Sequence, residues 1–331
     1  MGSSRLEDAL AEAGGWPASG RILILRPTLA SDLGCVPRDR AVIVTGFRPD
    51  FDAFRERGWT VAEAPEGDFA GALIFLPRAR ALARALIHQA AMLMPGGAPI
   101  WIDGQKHDGI EAALKDIRSR VSLLAQASKA HGRAFGFANP GTGAFDGWQA
   151  APHEAVAGFV TRPGVFSADG IDPGSALLAR HLPADLRGKG ADLGAGWGWL
   201  AAQVLARPGV KALHLVEAEA EAVACARENV TDPRAIFHWA DATRFRPPAL
   251  LDFVVTNPPF HVSRAADPAL GAAFIEAARG MLAPSGQLWL VANRTLPYEE
   301  AMAQAFLEVR QMASEGGFKV LMGMKPRFRK R

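Results

Sequence analysis

The chain has 331 residues, 49% hydrophobic and 21% charged, with a formal net charge of only +3. This excludes a disordered chain and gives room for two globular domains; no apolar run is long enough to cross a bilayer, and the opening MGSSRLEDALAEAGG lacks a signal-peptide core. Cys35 and Cys225 stand far apart without CxxC spacing, so a disulfide framework or zinc site is not expected and a reducing, cytoplasmic setting fits.

Taken in chain order, the first half alternates apolar runs with helical stretches. RILILR (21–26), AVIVTGF (41–47), ALIFLP (72–77) and PIWID (99–103) are predicted strands of a buried sheet. ARALARALIHQAAML has helical apolar spacing, and GIEAALKDIRSRVSLLA is a second predicted helix. From 132 to 175 the chain is rich in Gly, Pro, Asp and Ser and is expected to be loop or linker, with the domain boundary at 155.

The second half repeats the alternation. A strand beginning near Lys189 leads into DLGAGWG; KALHLVE (211–217), AIFHWA (235–240), LDFVVTN (251–257) and QLWLVAN (287–293) follow as strands. Helices fit GWLAAQVLAR, EAEAVACAREN and PALGAAFIEAARGML. MLMPGGAPIWID in the first half echoes MLAPSGQLWLVA in the second, through a repeat or through shared helix-to-strand turn chemistry. The whole implies an α/β protein with largely parallel sheets. The end, KPRFRKR, is either a solvated tail or a phosphate-attracting arm.

Four places carry the chemistry. Gly194, Gly196 and Gly198 end a strand and open a helix, which lets backbone N–H groups approach a ligand. The dinucleotide pattern GxGxxG would need glycine at position 199, where Trp199 stands. Asp192 precedes the loop and suits an ammonium group rather than a phosphate. Glu217, at the next strand tip, is placed to accept ribose hydroxyls, although alone it reads rather as an ordinary exposed acid starting a helix. Asp241, at the third tip, is placed for an adenine amine. Together these describe a pocket for adenosine with an amino-acid tail, S-adenosylmethionine. Beside it, LDFVVT runs into Asn257-Pro258-Pro259-Phe260. The Asn257 oxygen and the Pro258 carbonyl are two acceptors for a conjugated exocyclic amine, and Phe260 is a face for a planar base, worth roughly 1–3 kcal/mol. Orientation and electrostatics would supply the rate, with no strongly shifted general base.

On PGVFSADGIDPGSALL (163–178), DLGAGWG, NPPFH, VANRTLPYE (291–299) and GGFKV (316–320), the chain resembles the bacterial ribosomal RNA guanine-N2 methyltransferases, particularly the small-subunit (16S) type. The resemblance implies two tandem Rossmann-like class I methyltransferase folds. Residues 1–155 would form a degenerate, RNA-holding domain, and 156–331 the catalytic domain with a basic tail. It implies that Phe166, Ser167 and Asp172 close over the cofactor, that Gly194, Gly196 and Gly198 bind its methionine part, that Glu217 takes the ribose and Asp241 the adenine edge, and that Asn257, Pro258 and Phe260 hold the target guanine, with Asn257 also bordering the cofactor. The expected partner is ribosomal RNA or the small subunit, and the expected enzyme is a monomer with no metal and no membrane association. The same NPPF chemistry leaves open a 23S guanine, an adenine N6 or a protein glutamine. A reading of another class is a non-catalytic RNA-binding protein whose pocket is blocked by Trp197 and Trp199.

Overall fold

The computed structural model describes residues 3–141, 143–259 and 268–327. They form two compact units that meet in the chain between Ala151 and Pro152. The first unit contains α1 (Arg5–Glu12), β1 (Ile22–Leu25), β2 (Ala41–Val44), α2 (Arg48–Glu56), β3 (Thr60–Ala62), β4 (Gly71–Phe75), α3 (Arg80–Leu93), β5 (Pro99–Gln105), α4 (Ile110–Arg118), β6 (Leu123–Lys129) and β7 (Gly132–Ala138). Its sheet has the order β3-β2-β1-β4-β5-β7-β6, with β7 antiparallel to both neighbours and the remaining pairs parallel. All four residues of β1 and of β2 are buried, as a sheet covered on both faces requires.

The second unit opens with a hairpin, β8 (His153–Val156) and β9 (Phe159–Thr161). It continues with α5 (Pro173–His181), β10 (Gly188–Leu193), α6 (Trp199–Leu205), β11 (Val210–Glu217), α7 (Ala220–Asn229), β12 (Ala235–Trp239) and β13 (Leu251–Thr256). Last come α8 (Pro268–Met281), β14 (Leu282–Asn293), α9 (Tyr298–Ala305), β15 (Phe306–Glu315) and β16 (Phe318–Pro326). The sheet order is β12-β11-β10-β13-β14-β16-β15, strand for strand that of the first unit. The two echoing stretches occupy the same step in each, from a helix into the fifth sheet strand, so a tandem α/β architecture underlies the echo.

The structure corrects three expectations. The stretch 132–175 is not simply a linker: it holds β7, the β8–β9 hairpin and the start of α5. The predicted helix at 109–125 stops at Arg118, and its last residues begin β6. Lys325 and Pro326 of the basic tail belong to β16, where Pro326 pairs with Phe306. Glycine hid β7, and the cause is Trp101. A Cβ at Gly136 would stand 2.6 Å from the fully buried Trp101 ring, so the strand needs a residue without a side chain there. Gly136→Val should therefore destabilise the fold by roughly 3 kcal/mol or more in urea unfolding; wild-type stability would remove this reason for the glycine.

Candidate active site

In the second unit the strand order reverses between β10 and β13, the point where an open α/β sheet leaves a crevice at its carboxyl edge. Leu193 pairs with Thr256, and the Thr256 hydroxyl donates to the Leu193 carbonyl at 2.7 Å. The glycine loop and the Asn-Pro-Pro turn therefore leave adjacent strands side by side. Gly194, Gly196 and Gly198 all have positive φ (75°, 54° and 89°). Nothing lies within 4 Å of a Cβ built at Gly196, so the loop offers bare backbone. At Gly198 a Cβ would meet Val230 at 2.8 Å, so this glycine serves packing.

The cleft over the loop is lined by Phe166, Ser167, Asp172, Gly194, Gly196 and Asn257, six of the expected residues, joined by Ser175, Trp199 and Leu200. Phe166 is 58% exposed at its rim. Ser167 has φ 52°, held by its hydroxyl donating to the Gly170 carbonyl at 2.8 Å. Trp197 also lines the cleft beside Trp199; its indole packs with Val165, Ala222 and Cys225, lies edge-on to Phe159, and donates to the Phe166 carbonyl at 3.1 Å. It fastens the pre-loop segment to the glycine loop.

Asp192, Glu217 and Asp241 stand at consecutive strand ends but do different things. Glu217 spans the loop base, accepting from Gly196 N and Glu219 N at 2.8 Å each. Burial raises its pKa, and those N–H groups oppose the shift. Asp241 accepts from the backbone and hydroxyl of Thr243 through one oxygen, fixing the turn after β12. Asp192 is completely buried under the loop, and neither carboxylate oxygen has a hydrogen-bond partner. Burial, and second the charge of Glu217, push its pKa up to about 8. Two unpaired oxygens in so dry a place cost several kcal/mol, which a cationic group brought to the loop would relieve.

Asn257 is the second orphan. Its Nδ2 donates to Asp172 Oδ2 at 2.7 Å and to Ser175 Oγ at 2.9 Å, whereas Oδ1 is enclosed and has no partner. Pro258 is buried behind it. Phe260 and His261 lie outside the described residues. A dry, unpaired carbonyl oxygen next to a backbone-lined loop is a ready acceptor for an N–H on a ligand.

The sequence model of the "Methyltransferase small domain" matches residues 157–322, half of the chain. The chain belongs to the methyltransferase small domain family. Among relatives, it is 32% identical to the "Ribosomal RNA small subunit methyltransferase C" of Pseudomonas paraeruginosa, over 80% of this chain and 81% of that one. It is also 32% identical to the "Ribosomal RNA large subunit methyltransferase G" of Ectopseudomonas mendocina, over 80% of this chain and 73% of that one. A solved structure of the T. thermophilus 16S rRNA N2 methyltransferase, in complex with AdoMet and guanosine, superposes with a TM-score of 0.79 at 26% identity. It covers 97% of this chain and 92% of that one, so both units share its fold.

Two residues of this small-domain methyltransferase escaped the sequence reading. Asn229, at the end of α7, donates from Nδ2 to the carbonyls of Val160 and Trp197 at 2.8 Å and accepts from Val160 N at 2.7 Å, tying β9 to the glycine loop. Ser175 was hidden within DPGS, where it looks like an ordinary first-turn serine. No short-range pattern marks either one, because their partners lie 69 and 82 residues away.

Proposed function

We propose that the chain transfers a methyl group from S-adenosylmethionine to the exocyclic N2 of a guanine in small-subunit ribosomal RNA. The observation that carries this is the Asn257 amide, with its nitrogen fully engaged and its oxygen dry and unpaired. The bound cofactor supplies an electrophilic methyl group on a sulfonium. Gly194 and Gly196 present backbone to its methionine end, Asp192 answers its ammonium, and Glu217 and Asp241 face its ribose and adenine. Asn257 Oδ1 and the Pro258 carbonyl accept the two amine hydrogens of guanine and turn its nitrogen lone pair out of conjugation. Phe260 stacks on the base, which is flipped out to reach the cleft. Once methylated, the amine is acidic and loses its proton to solvent. Holding the nucleophile in line provides most of the rate.

The first unit serves as a degenerate copy that holds RNA. Where β10 leads into Gly194, β1 leads into Arg26-Pro27; where β13 leads into Asn257, β4 leads into Leu76-Pro77-Arg78. Neither tip has a glycine loop or an amide. The reading takes the enzyme as a cytoplasmic monomer that needs no metal. Calorimetry with S-adenosylhomocysteine separates it from a non-catalytic binding protein: saturable binding is expected, and the absence of heat would leave the binding-protein reading standing.

The tail makes a separate contribution. Arg327 is built into the unit through the carbonyls of Ala303 and Phe306, and three further basic groups of the sequence, Arg329, Lys330 and Arg331, follow it outside the described residues. Truncation after Arg327 should weaken RNA binding and reduce the slope of log K against log salt by about 2, at about 0.7 per basic group on single strands. An unchanged slope would make the tail merely solvated.

A further inference from the structure

We propose that Asp172, assisted by Ser175, is a positioning residue that fixes which way the Asn257 amide faces. A side-chain amide is nearly symmetric in shape, and rotating it by half a turn exchanges a donor for an acceptor. Only the orientation that leaves Oδ1 unpaired can accept from an amine; the reverse presents N–H to N–H. A carboxylate accepts and cannot donate, so Asp172 Oδ2, at 2.7 Å from Asn257 Nδ2, admits one orientation alone. Ser175 Oγ takes the second hydrogen at 2.9 Å, which leaves Oδ1 as the free acceptor.

The chain around Asp172 is built to hold that carboxylate still. Asp172 is the N-cap of α5, and the same Oδ2 accepts from Ser175 N at 2.7 Å. A Cβ at Gly174 would stand 3.0 Å from that oxygen and 3.1 Å from the Phe318 ring, so the glycine makes space for both. Asp172 thus acts through Asn257, whereas the sequence resemblance placed it on the cofactor. The inference rests on the amine-acceptor role of Asn257 given above.

Asp172→Ser separates the two jobs, because serine still caps a helix but cannot reach Asn257. Two readouts apply. The chain has four asparagines, Asn139, Asn229, Asn257 and Asn293, so selective 15N-asparagine labelling gives four side-chain amide pairs, with that of Asn257 identified by its loss in Asn257→Ala. Its pair should move in Asp172→Ser and the other three should stay. Turnover of Asp172→Ser should fall about 10–100-fold in kcat, with the KM for RNA and the Kd of S-adenosylhomocysteine within about twofold. Asp172→Asn, which keeps an acceptor oxygen at the same place, should restore most of kcat, and Ser175→Ala should show a smaller loss. Unmoved amide signals, an unchanged kcat, or a Kd that weakens as far as kcat falls would each overturn the proposal, the last by returning Asp172 to the cofactor. A wild-type enzyme that methylates no RNA would sink the functional reading instead, and the amide spectrum would still decide whether Asp172 orients Asn257.

Discussion

Asn257→Ala lowers kcat for methyl transfer by about 10²–10³ or more and leaves the affinity for S-adenosylhomocysteine within about twofold. Removing one preorganised polar partner of a reacting group costs about that much in other enzymes, because no solvent molecule replaces it in a dry site. Here the partner is an acceptor whose oxygen is already stripped of water and unpaired, so its dehydration is met during folding and need not be repeated at each turnover. The residue lines the cleft without being part of the glycine loop, so cofactor affinity should survive. Steady-state kinetics and calorimetry on one preparation check both halves. Loss of cofactor binding together with turnover would show that Asn257 builds the pocket and does not act on the acceptor.

Asp192 makes the apoprotein less stable as pH rises. Burial pushes its carboxyl up to about 8 in the fold, against 3.8 for an ordinary aspartate. Between about pH 4 and about pH 8 the folded chain keeps a proton that the unfolded chain gives up, so ν_N exceeds ν_U and stability falls through that window. Below it both states are protonated, and above it both are ionised. The full effect is at most about 6 kcal/mol, at 1.36 kcal/mol for each pKa unit. His214 and His238, held below their ordinary value by burial, act with the opposite sign below about pH 6.5. The clean observable is therefore the unfolding free energy of wild type minus that of Asp192→Asn, which should drop from about pH 5 to about pH 8. If the cofactor's ammonium pairs with ionised Asp192, S-adenosylhomocysteine should bind more tightly as pH rises from about 6 to about 7.5 and release a proton on binding. A flat stability difference together with pH-independent affinity would remove Asp192 from the site.

Much of the second unit was legible because its signals are local. β11 and β13 are short valine-containing apolar runs between turns, β10 is marked by the glycine loop that follows it, and α6, α7 and α8 are rich in alanine and other helix formers. The glycine loop and the Asn-Pro-Pro turn were legible for the same reason. β7 was not, since its glycines answer to Trp101 on the neighbouring strand and read in one dimension as a loop. β6 was absorbed into the preceding helix because SLLA continues an apolar helical spacing; only pairing with β7 decides otherwise. Within the site, chain order put Asp192 at the loop but could not say that it lies beneath it, unpaired. The tie from Asp172 and Ser175 to Asn257 crosses more than 80 residues and is a property of the fold alone.

The most direct test is labelled methyl transfer from S-adenosylmethionine to unmethylated small and large ribosomal subunits and to their extracted RNAs, followed by nucleoside mass spectrometry. The expected product is N2-methylguanosine in small-subunit RNA and none in large-subunit RNA. Label found only in large-subunit RNA, in N6-methyladenosine or on protein glutamine would contradict the assigned substrate. The absence of transfer to any RNA by a preparation that binds the cofactor would contradict the account as a whole.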